Sequence, residues 1–296
     1  MLHLAICCKC SNAVEAERGQ LHALRAGMLY QKHEIALEQA LGADIGPKSS
    51  TERSRPGMEI DANLRPSEGA QAFVKVAEQL EAIEATLCDS ATWAAFAGDA
   101  VPPMREEEAA RVAKLVDGGA AARLRDSLVC ARAMIGERLG ISADEVRLVR
   151  SDEGAPQLDN APERSVSISR SAGWTLVALG DGRVIGADVE VMRLLDWRVM
   201  LGMVCSEPEA AEFIALAEDD TEQTLRAFFM LWTIKEAVLK ATGRGMRAGA
   251  KSVQVPVETL FCDVHPLREI GLAGVAYTVW SGWEGDVALS VAVARG

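Results

Sequence analysis

No run in this 296-residue chain approaches the roughly eighteen consecutive apolar residues of a membrane span, so no spanning segment is expected. Nor is there a surplus of positive charge: 31 Lys and Arg stand against 43 Asp and Glu, a net charge of -12. That balance argues against a general affinity for nucleic acid or for an acidic membrane surface. A disulfide framework is also missing, because the seven cysteines are odd in number. The opening Met1–Cys10 has too short an apolar stretch for a secretory leader and no cleavage pattern. A reducing cytoplasm is therefore the expected compartment. Cys7, Cys8 and Cys10 with His3 lack the two-residue gap of a zinc knuckle, and no second half-site follows, so structural zinc is not expected.

What is present is an ordinary globular composition, 49% hydrophobic and 25% charged, in a chain longer than one core needs. Charge is unevenly placed. Between Ser206 and Glu222 every charged residue is an acid, whereas from Arg226 to Lys251 the bases are opposed only by Glu236. A basic patch in an acidic protein suits phosphates or an acidic partner, although a solvated helix face dotted with Lys and Arg is the plain alternative.

Two short segments carry the chemistry. In Ile185-Gly186-Ala187-Asp188-Val189-Glu190 the acids are two apart, and on a strand they share one face. In Trp232-Thr233-Ile234-Lys235-Glu236-Ala237-Val238-Leu239-Lys240 the spacing i, i+4, i+8 stacks Trp232, Glu236 and Lys240 on one helical face. Mg²⁺ takes one or two protein carboxylates together with phosphate oxygens, so three acids and a lysine suit a diphosphate substrate. Glu236 could accept a proton from an attacking hydroxyl and Lys240 could stabilise a departing phosphate. Each segment alone has a bland explanation, a helix-surface ion pair for Glu236 and Lys240 and a solvated strand face for Asp188 and Glu190. Their occurrence together, in this order and at short range, favours the site. Trp232 is assigned to the core, where it positions the Glu236 helix.

The two segments resemble the G-(V/I/A)-D-(V/I)-E and W-(S/T)-x-K-E-(A/S)-x-x-K motifs of the 4'-phosphopantetheinyl transferase superfamily, of the type that activates surfactin synthetase. Ser169-Arg170-Ser171-Ala172 stands where the family usually has S-H-S-G, and Gly154-Ala155-Pro156 where it usually has G-K-P. The resemblance covers roughly residues 90–296 and says nothing of residues 1–89. It implies transfer of the 4'-phosphopantetheine arm of coenzyme A to a serine of an acyl or peptidyl carrier protein, with release of 3',5'-ADP. It also implies Mg²⁺ on Asp188, Glu190 and Glu236, with Glu236 as base and Lys240 serving the leaving phosphate. Ser169, Arg170 and Lys235 would lie near the nucleotide phosphates, and Arg111 and Lys114 fall where the family places basic residues for coenzyme A. Two departures remove charge: Ser127 replaces a usual arginine and Ala155 a usual lysine. Arg170 in place of histidine restores one cation, and Arg123 and Arg125 lie one turn from Ser127. A catalytically impaired member of the same fold, binding a carrier protein or other partner, is the alternative these departures leave open.

The expected fold is α+β, a pseudo-twofold pair of similar α/β subdomains with antiparallel sheets, plus a helical N-terminal extension. The extension is residues 1–89, with helix over 11–41 and a loose linker near 42–66. Residues 90–184 would form the first half and 185–296 the second, which carries the metal and catalytic motifs. Phe73, Val76, Leu80, Ile83 and Leu87, three and four apart, predict an amphipathic helix, packed on the body or pairing a second copy of an otherwise monomeric chain. Helices are expected near Arg105–Val116 and Ala120–Leu139, and short strands over Val146–Arg150 and Ser165–Ser169. Gly180-Asp181-Gly182 predicts a hairpin joining Trp174–Leu179 to Arg183–Val191. A helical stretch running to Ala241 stops at Gly243-Arg244-Gly245, and Ala276–Trp280 with Asp286–Ala294 predict a final hairpin.

Overall fold

A computed structural model of the chain describes residues 73–98, 101–217, 222–243, 249–261 and 267–295. The expected helix over 11–41, the linker near 42–66 and the Cys7–Cys10 cluster lie outside the described residues.

The stripe from Phe73 to Leu87 is not a helix. It forms β1 (Phe73–Val76) and β2 (Ile83–Asp89), paired antiparallel. The chain turns between them with Ala77 and Ala82 both at positive φ, 58° and 60°, which no helix tolerates. β2 lies between β1 and β6 in its sheet, and both of its faces are covered as well: Leu87 and Cys88 are each 0% exposed and enter different apolar clusters. A strand apolar on both faces loses its alternation, and its residues then fill a helical spacing by chance. The helix proposed to pair a second copy is thus absent.

Asp89 caps α1 (Ser90–Ala97) by accepting from the Ala91 and Thr92 amides. The short α2 (Glu106–Val112) buries no residue, and α3 (Gly118–Leu139) is capped by Asp117 and closed by Gly140 in the left-handed region. A small hairpin, β3 (Leu148–Arg150) with β4 (Pro156–Leu158), precedes β5 (Arg164–Ser171) and β6 (Trp174–Asp181). β5 and β6 are joined by Ala172-Gly173, both at positive φ, the mirror-image turn whose twist matches flanking strands. The first sheet runs β1-β2-β6-β5.

The hairpin expected at Gly180–Gly182 does not form. The chain instead leaves the first sheet at Gly182, and β7 (Ile185–Val191) joins a second antiparallel sheet of order β7-β10-β9-β8. Its partner is β10 (Val287–Ala294), with Asp188 opposite Ser290 and Glu190 opposite Ala288. The acids therefore sit on a paired strand, as expected, but with a different neighbour. β8 (Arg268–Leu272) and β9 (Val275–Glu284) meet at Ala273-Gly274, a second Ala-Gly turn at positive φ, and the expected β9–β10 hairpin is present.

Between β7 and β8 lie α4 (Trp197–Val204), α5 (Glu207–Leu216) and α6 (Glu222–Ala241). Three apolar clusters hold the layers. α3 covers the first sheet, its Val129, Met134 and Ile135 sharing a cluster with Val177 of β6. Residues of both sheets share a second cluster, Leu87 and Leu176 with Val189 and Val291. α6 covers the second sheet through Phe228, Leu231 and Val238, and Trp232 lies in this core as expected. α6 approaches β7 so closely that a Cβ on Gly186 would lie 2.0 Å from the Ala237 carbonyl oxygen and 2.4 Å from the Ala241 amide nitrogen. No side chain fits there. Among the described residues no helix is long and apolar enough to cross a membrane.

Candidate active site

Serines 165, 167, 169 and 171 alternate along β5, and their hydroxyls face β7. Ser167 Oγ accepts from the Ala187 amide at 2.9 Å, and Ser171 Oγ accepts from the Val191 amide at 3.2 Å. Ser165 Oγ donates to the Arg183 carbonyl. The edges of the two sheets are thus joined by hydroxyls rather than by a backbone ladder.

The same serines orient the acids. Ser169 Oγ donates to Asp188 Oδ1 at 2.8 Å, and Ser171 Oγ donates to Glu190 Oε2 at 2.9 Å. Lys240, reaching from the end of α6, donates to Asp188 Oδ1 at 2.6 Å, to Ser169 Oγ at 2.8 Å and to the Ala187 carbonyl at 3.2 Å. All three ammonium donors are used. Arg193 Nη1 donates to Glu190 Oε2 at 3.1 Å, so each carboxylate has its own cation. Burial and the neighbouring Asp188 push the Glu190 carboxyl up to about 7. Asp188 Oδ2 is buried without a hydrogen-bond partner. Such an orphan oxygen beside a second carboxylate fits a hard divalent cation that completes its shell with phosphate and water. Glu236 lies one helical turn before Lys240 and is 8% exposed. Among the described residues no three His, Cys, Asp or Glu side chains are gathered closely enough to hold a metal.

Lys235 is not at this site. Its ammonium, 1% exposed, is held by Glu209 Oε2 at 2.7 Å and by the Ala250 and Val253 carbonyls. The expected place near nucleotide phosphates is therefore replaced by an internal ion pair that fastens α5 and the 250–253 turn to α6. The helix geometry explains it: at 100° per residue, Lys235 points about 100° away from Glu236. The basic patch expected along 226–251 loses this lysine to the core, while Arg226 lies over the Trp283 ring at 4.0 Å, and Arg244 and Arg247 lie outside the described residues.

On the opposite face of β5, Arg170 turns away from the acids. Its Nε is buried without a partner, and burial with repulsion from Arg111 and Arg150 lowers its guanidinium to about 10. Arg150, exposed along one edge, is lowered by partial desolvation of its guanidinium and by Arg111. Three arginines, from α2, β3 and β5, thus gather, and among the described residues none forms an ion pair with an acid. α2 is placed there by a buried ion pair, Arg132 Nε to Glu108 Oε1 at 2.8 Å, with Arg132 1% exposed. Lys114 lies exposed just beyond α2, and Arg125 is paired with Asp126 at 2.8 Å on the surface. Ser127 is buried at 3% on α3.

Sequence reasoning missed Ser167, Ser171, Arg193 and Arg150. The Ser-x-Ser-x-Ser-x-Ser alternation of 165–171 was the available signal for the serines; the two arginines have none.

The model of the 4'-phosphopantetheinyl transferase superfamily matches residues 184–291, which span the acids of β7, the whole of α6 and most of β10. Over these residues the chain is similar to that superfamily. Curated transferases of this kind resemble the chain over the same order of length. The 4'-phosphopantetheinyl transferase Sfp of Bacillus subtilis is 28% identical over 127 residues, 43% of this chain and 54% of that protein. A putative 4'-phosphopantetheinyl transferase of Synechocystis is 28% identical over 131 residues, covering 44% and 52%. The 4'-phosphopantetheinyl transferase AcpT of Salmonella typhimurium is 34% identical over 97 residues, covering 32% and 49%. The chain spans about half the length of these curated relatives.

Proposed function

We propose that this chain transfers the 4'-phosphopantetheine arm of coenzyme A to a serine of an acyl or peptidyl carrier protein and releases 3',5'-ADP. The observation that carries the reading is the triangle of Lys240, Asp188 and Ser169, which ties the lysine of one motif to the acid of the other beside an orphan carboxylate oxygen. In this reading Asp188 and Glu190 would hold Mg²⁺, and Glu236, which is not gathered with them as a third ligand, serves as base. The metal, when bound, neutralises the pyrophosphate oxygens. The carrier serine hydroxyl attacks the phosphorus that bears the pantetheine arm, and its proton passes to the Glu236 carboxylate. The bond to the bridging oxygen breaks, and Lys240 stabilises the charge left on the nucleotide phosphate. Ser169 holds both Lys240 and Asp188 for this step, and Ser171 fixes Glu190. Arg170 and Arg111 take the nucleotide's phosphates.

The same reading makes residues 90–184 and 185–296 two similar halves related by a pseudo-twofold, in a cytoplasmic enzyme that works as a monomer. In support, each four-stranded sheet carries one long helix and one Ala-Gly hairpin; the first sheet includes β1 and β2, so residues 73–89 go with the first half rather than with an extension.

The test is intact-mass analysis of an apo carrier protein incubated with the chain, coenzyme A and Mg²⁺, with EDTA as control. A gain of one phosphopantetheine arm that EDTA removes is the expected result, and Glu236→Gln is expected to abolish it while leaving the circular dichroism spectrum unchanged. No gain with several carriers, together with no coenzyme A binding, overturns the reading. Full activity of Glu236→Gln overturns the role given to that residue.

A further inference from the structure

The seam between β5 and β7 is electrically balanced before any ligand reaches it. Asp188 and Glu190 bring two negative charges, and their partners Lys240 and Arg193 bring two positive ones. The two cations are held differently. Lys240 has every ammonium donor bound, one of them to the Ala187 carbonyl on the paired strand β7. Arg193 lies just past the end of β7 with its side chain 41% exposed, and Nη1 alone makes both of its hydrogen bonds, to Glu190 Oε2 at 3.1 Å and to the Val191 carbonyl at 3.2 Å. Its guanidinium carbon also lies 5.5 Å from the centre of the Phe229 ring. When Glu190 is released, the carbonyl and the ring still keep the guanidinium close by. Lys240 has no such second position, so Arg193 is the cation that can change partner.

The bonds that tie each acid to its cation use one oxygen of the carboxylate. Ser169 and Lys240 both donate to Asp188 Oδ1, and Ser171 and Arg193 both donate to Glu190 Oε2. Asp188 Oδ2 is left buried without a partner, which is what points to a cation here. A divalent cation arriving alone nevertheless meets a poor site. Among the described residues no third acid is gathered with these two, and the attraction of the two carboxylates is offset by Lys240 and Arg193. A diphosphate changes the balance. It supplies the metal with further oxygens and negative charge, and it offers acceptors to the guanidinium that has left Glu190.

We propose that Arg193 is a resident counter-cation, which holds Glu190 against a free divalent metal and yields it to a metal that comes with a diphosphate. The diphosphate rests on the transferase reading; the competition between Arg193 and a divalent cation for Glu190 rests on the ion pair. Metal and diphosphate then bind cooperatively, because whichever binds alone bears the whole cost of moving Arg193. By linkage each raises the affinity of the other by the same factor. Arg193 thereby sets which form of the metal the seam accepts, without touching the reacting atoms.

Titration of the full chain with Mn²⁺ tests this, with bound metal read as loss of the free-ion signal in electron paramagnetic resonance, in buffer alkaline enough to keep Glu190 ionised. Each titration is run without and with saturating coenzyme A, the probe that carries the diphosphate, after subtraction of the Mn²⁺ that coenzyme A holds in solution. The unaltered chain is expected to bind Mn²⁺ alone weakly, and roughly tenfold more tightly with coenzyme A. Arg193→Ala should bind Mn²⁺ alone about fivefold more tightly than the unaltered chain, the upper worth of a partly exposed ion pair, and should gain less from coenzyme A. Arg193→Lys keeps the charge and should stay close to the unaltered chain. Thermal unfolding followed by circular dichroism checks that each variant is folded. If Arg193→Ala binds Mn²⁺ alone no more tightly than the unaltered chain, while coenzyme A still strengthens Mn²⁺ binding to that chain, the role of Arg193 is overturned and the transferase reading stands. Equal affinity for Mn²⁺ without and with coenzyme A in the unaltered chain overturns the cooperative role as well. If coenzyme A does not bind at all, the transferase reading falls, and the comparison of Mn²⁺ alone in Arg193→Ala and the unaltered chain still decides the competition for Glu190.

Discussion

At the seam between the sheets each carboxylate has its own cation, Lys240 on Asp188 and Arg193 on Glu190; one residue along β5, Arg170 lies among two other arginines, and the acid near it, Glu108, is paired with Arg132 instead. The supports differ in the same sense. Sixteen of the 20 residues of α6, which delivers Lys240, are buried, whereas α2, which delivers Arg111, buries none. The acid cluster is charge-balanced and rigid before any ligand arrives, as a group that must meet reacting atoms requires. The arginine cluster holds unrelieved repulsion on thin supports, and an anion relieves it. In the proposed reaction the first cluster would meet the reacting atoms and the second would grip the nucleotide.

The largest expected effect comes from breaking the rigid side alone. Gly186→Ala places a methyl group inside the α6 backbone and should cost about 3 kcal/mol, read as a lower urea midpoint. Because Lys240 then leaves Asp188, transfer to a carrier should fall far more than affinity for 3',5'-ADP, whose grip lies on the other face of β5. Equal losses in both would dissolve the distinction between the clusters.

A smaller effect is expected from pH. The folded-state pKa of Glu190, about 7, lies above the ordinary glutamate value of 4.5, so the folded chain holds this proton more tightly than the unfolded chain. Its contribution is complete below pH 4.5 and is lost as pH rises through about 7. Without divalent metal, the melting temperature should fall by a few degrees across that window, and Glu190→Gln should flatten the slope. Mg²⁺ should restore stability at the upper end, and an identical slope in Glu190→Gln would assign the titration elsewhere.

The smallest effect is Ser171→Ala, which removes the hydrogen bond to Glu190 and the acceptor for the Val191 amide at a cost of about 1 kcal/mol. Because Ser171 donates to the ionised form of Glu190, its loss should also move the pH midpoint of the melting curve upward. A loss of stability with no change in that midpoint would make the serine seam purely structural.

The parts of this molecule that were legible in sequence are those whose signal is local. α3 and α6 have capping residues or long apolar faces, and Asp188, Glu190, Ser169 and Lys240 lie in short motifs that the fold brings together. Pairing was less legible. The Gly-Asp-Gly segment at 180–182 has hairpin chemistry, but Ile185, Ala187 and Val189 are needed in the layer between the sheets, and β7 crosses to β10. Two of the true hairpin turns, at 172–173 and 273–274, use alanine before glycine at positive φ, a choice that composition does not advertise. Lys235 was misplaced because adjacency in a motif is not adjacency on a helix. Arg150 was missed because its relation to Arg170 runs through a hairpin loop and a neighbouring strand, contacts that no spacing rule encodes.

The pairing of β7 with β10 has a consequence for how the protein is made. The strand that carries both acids finds its ladder partner about a hundred residues later, so during synthesis it waits beside a completed first sheet with no sheet of its own. The two acids therefore gain their paired, rigid strand only once β10 has been made. Over that interval β7 lacks its ladder partner and its apolar flank stands uncovered, which makes this stretch of synthesis a period of aggregation risk.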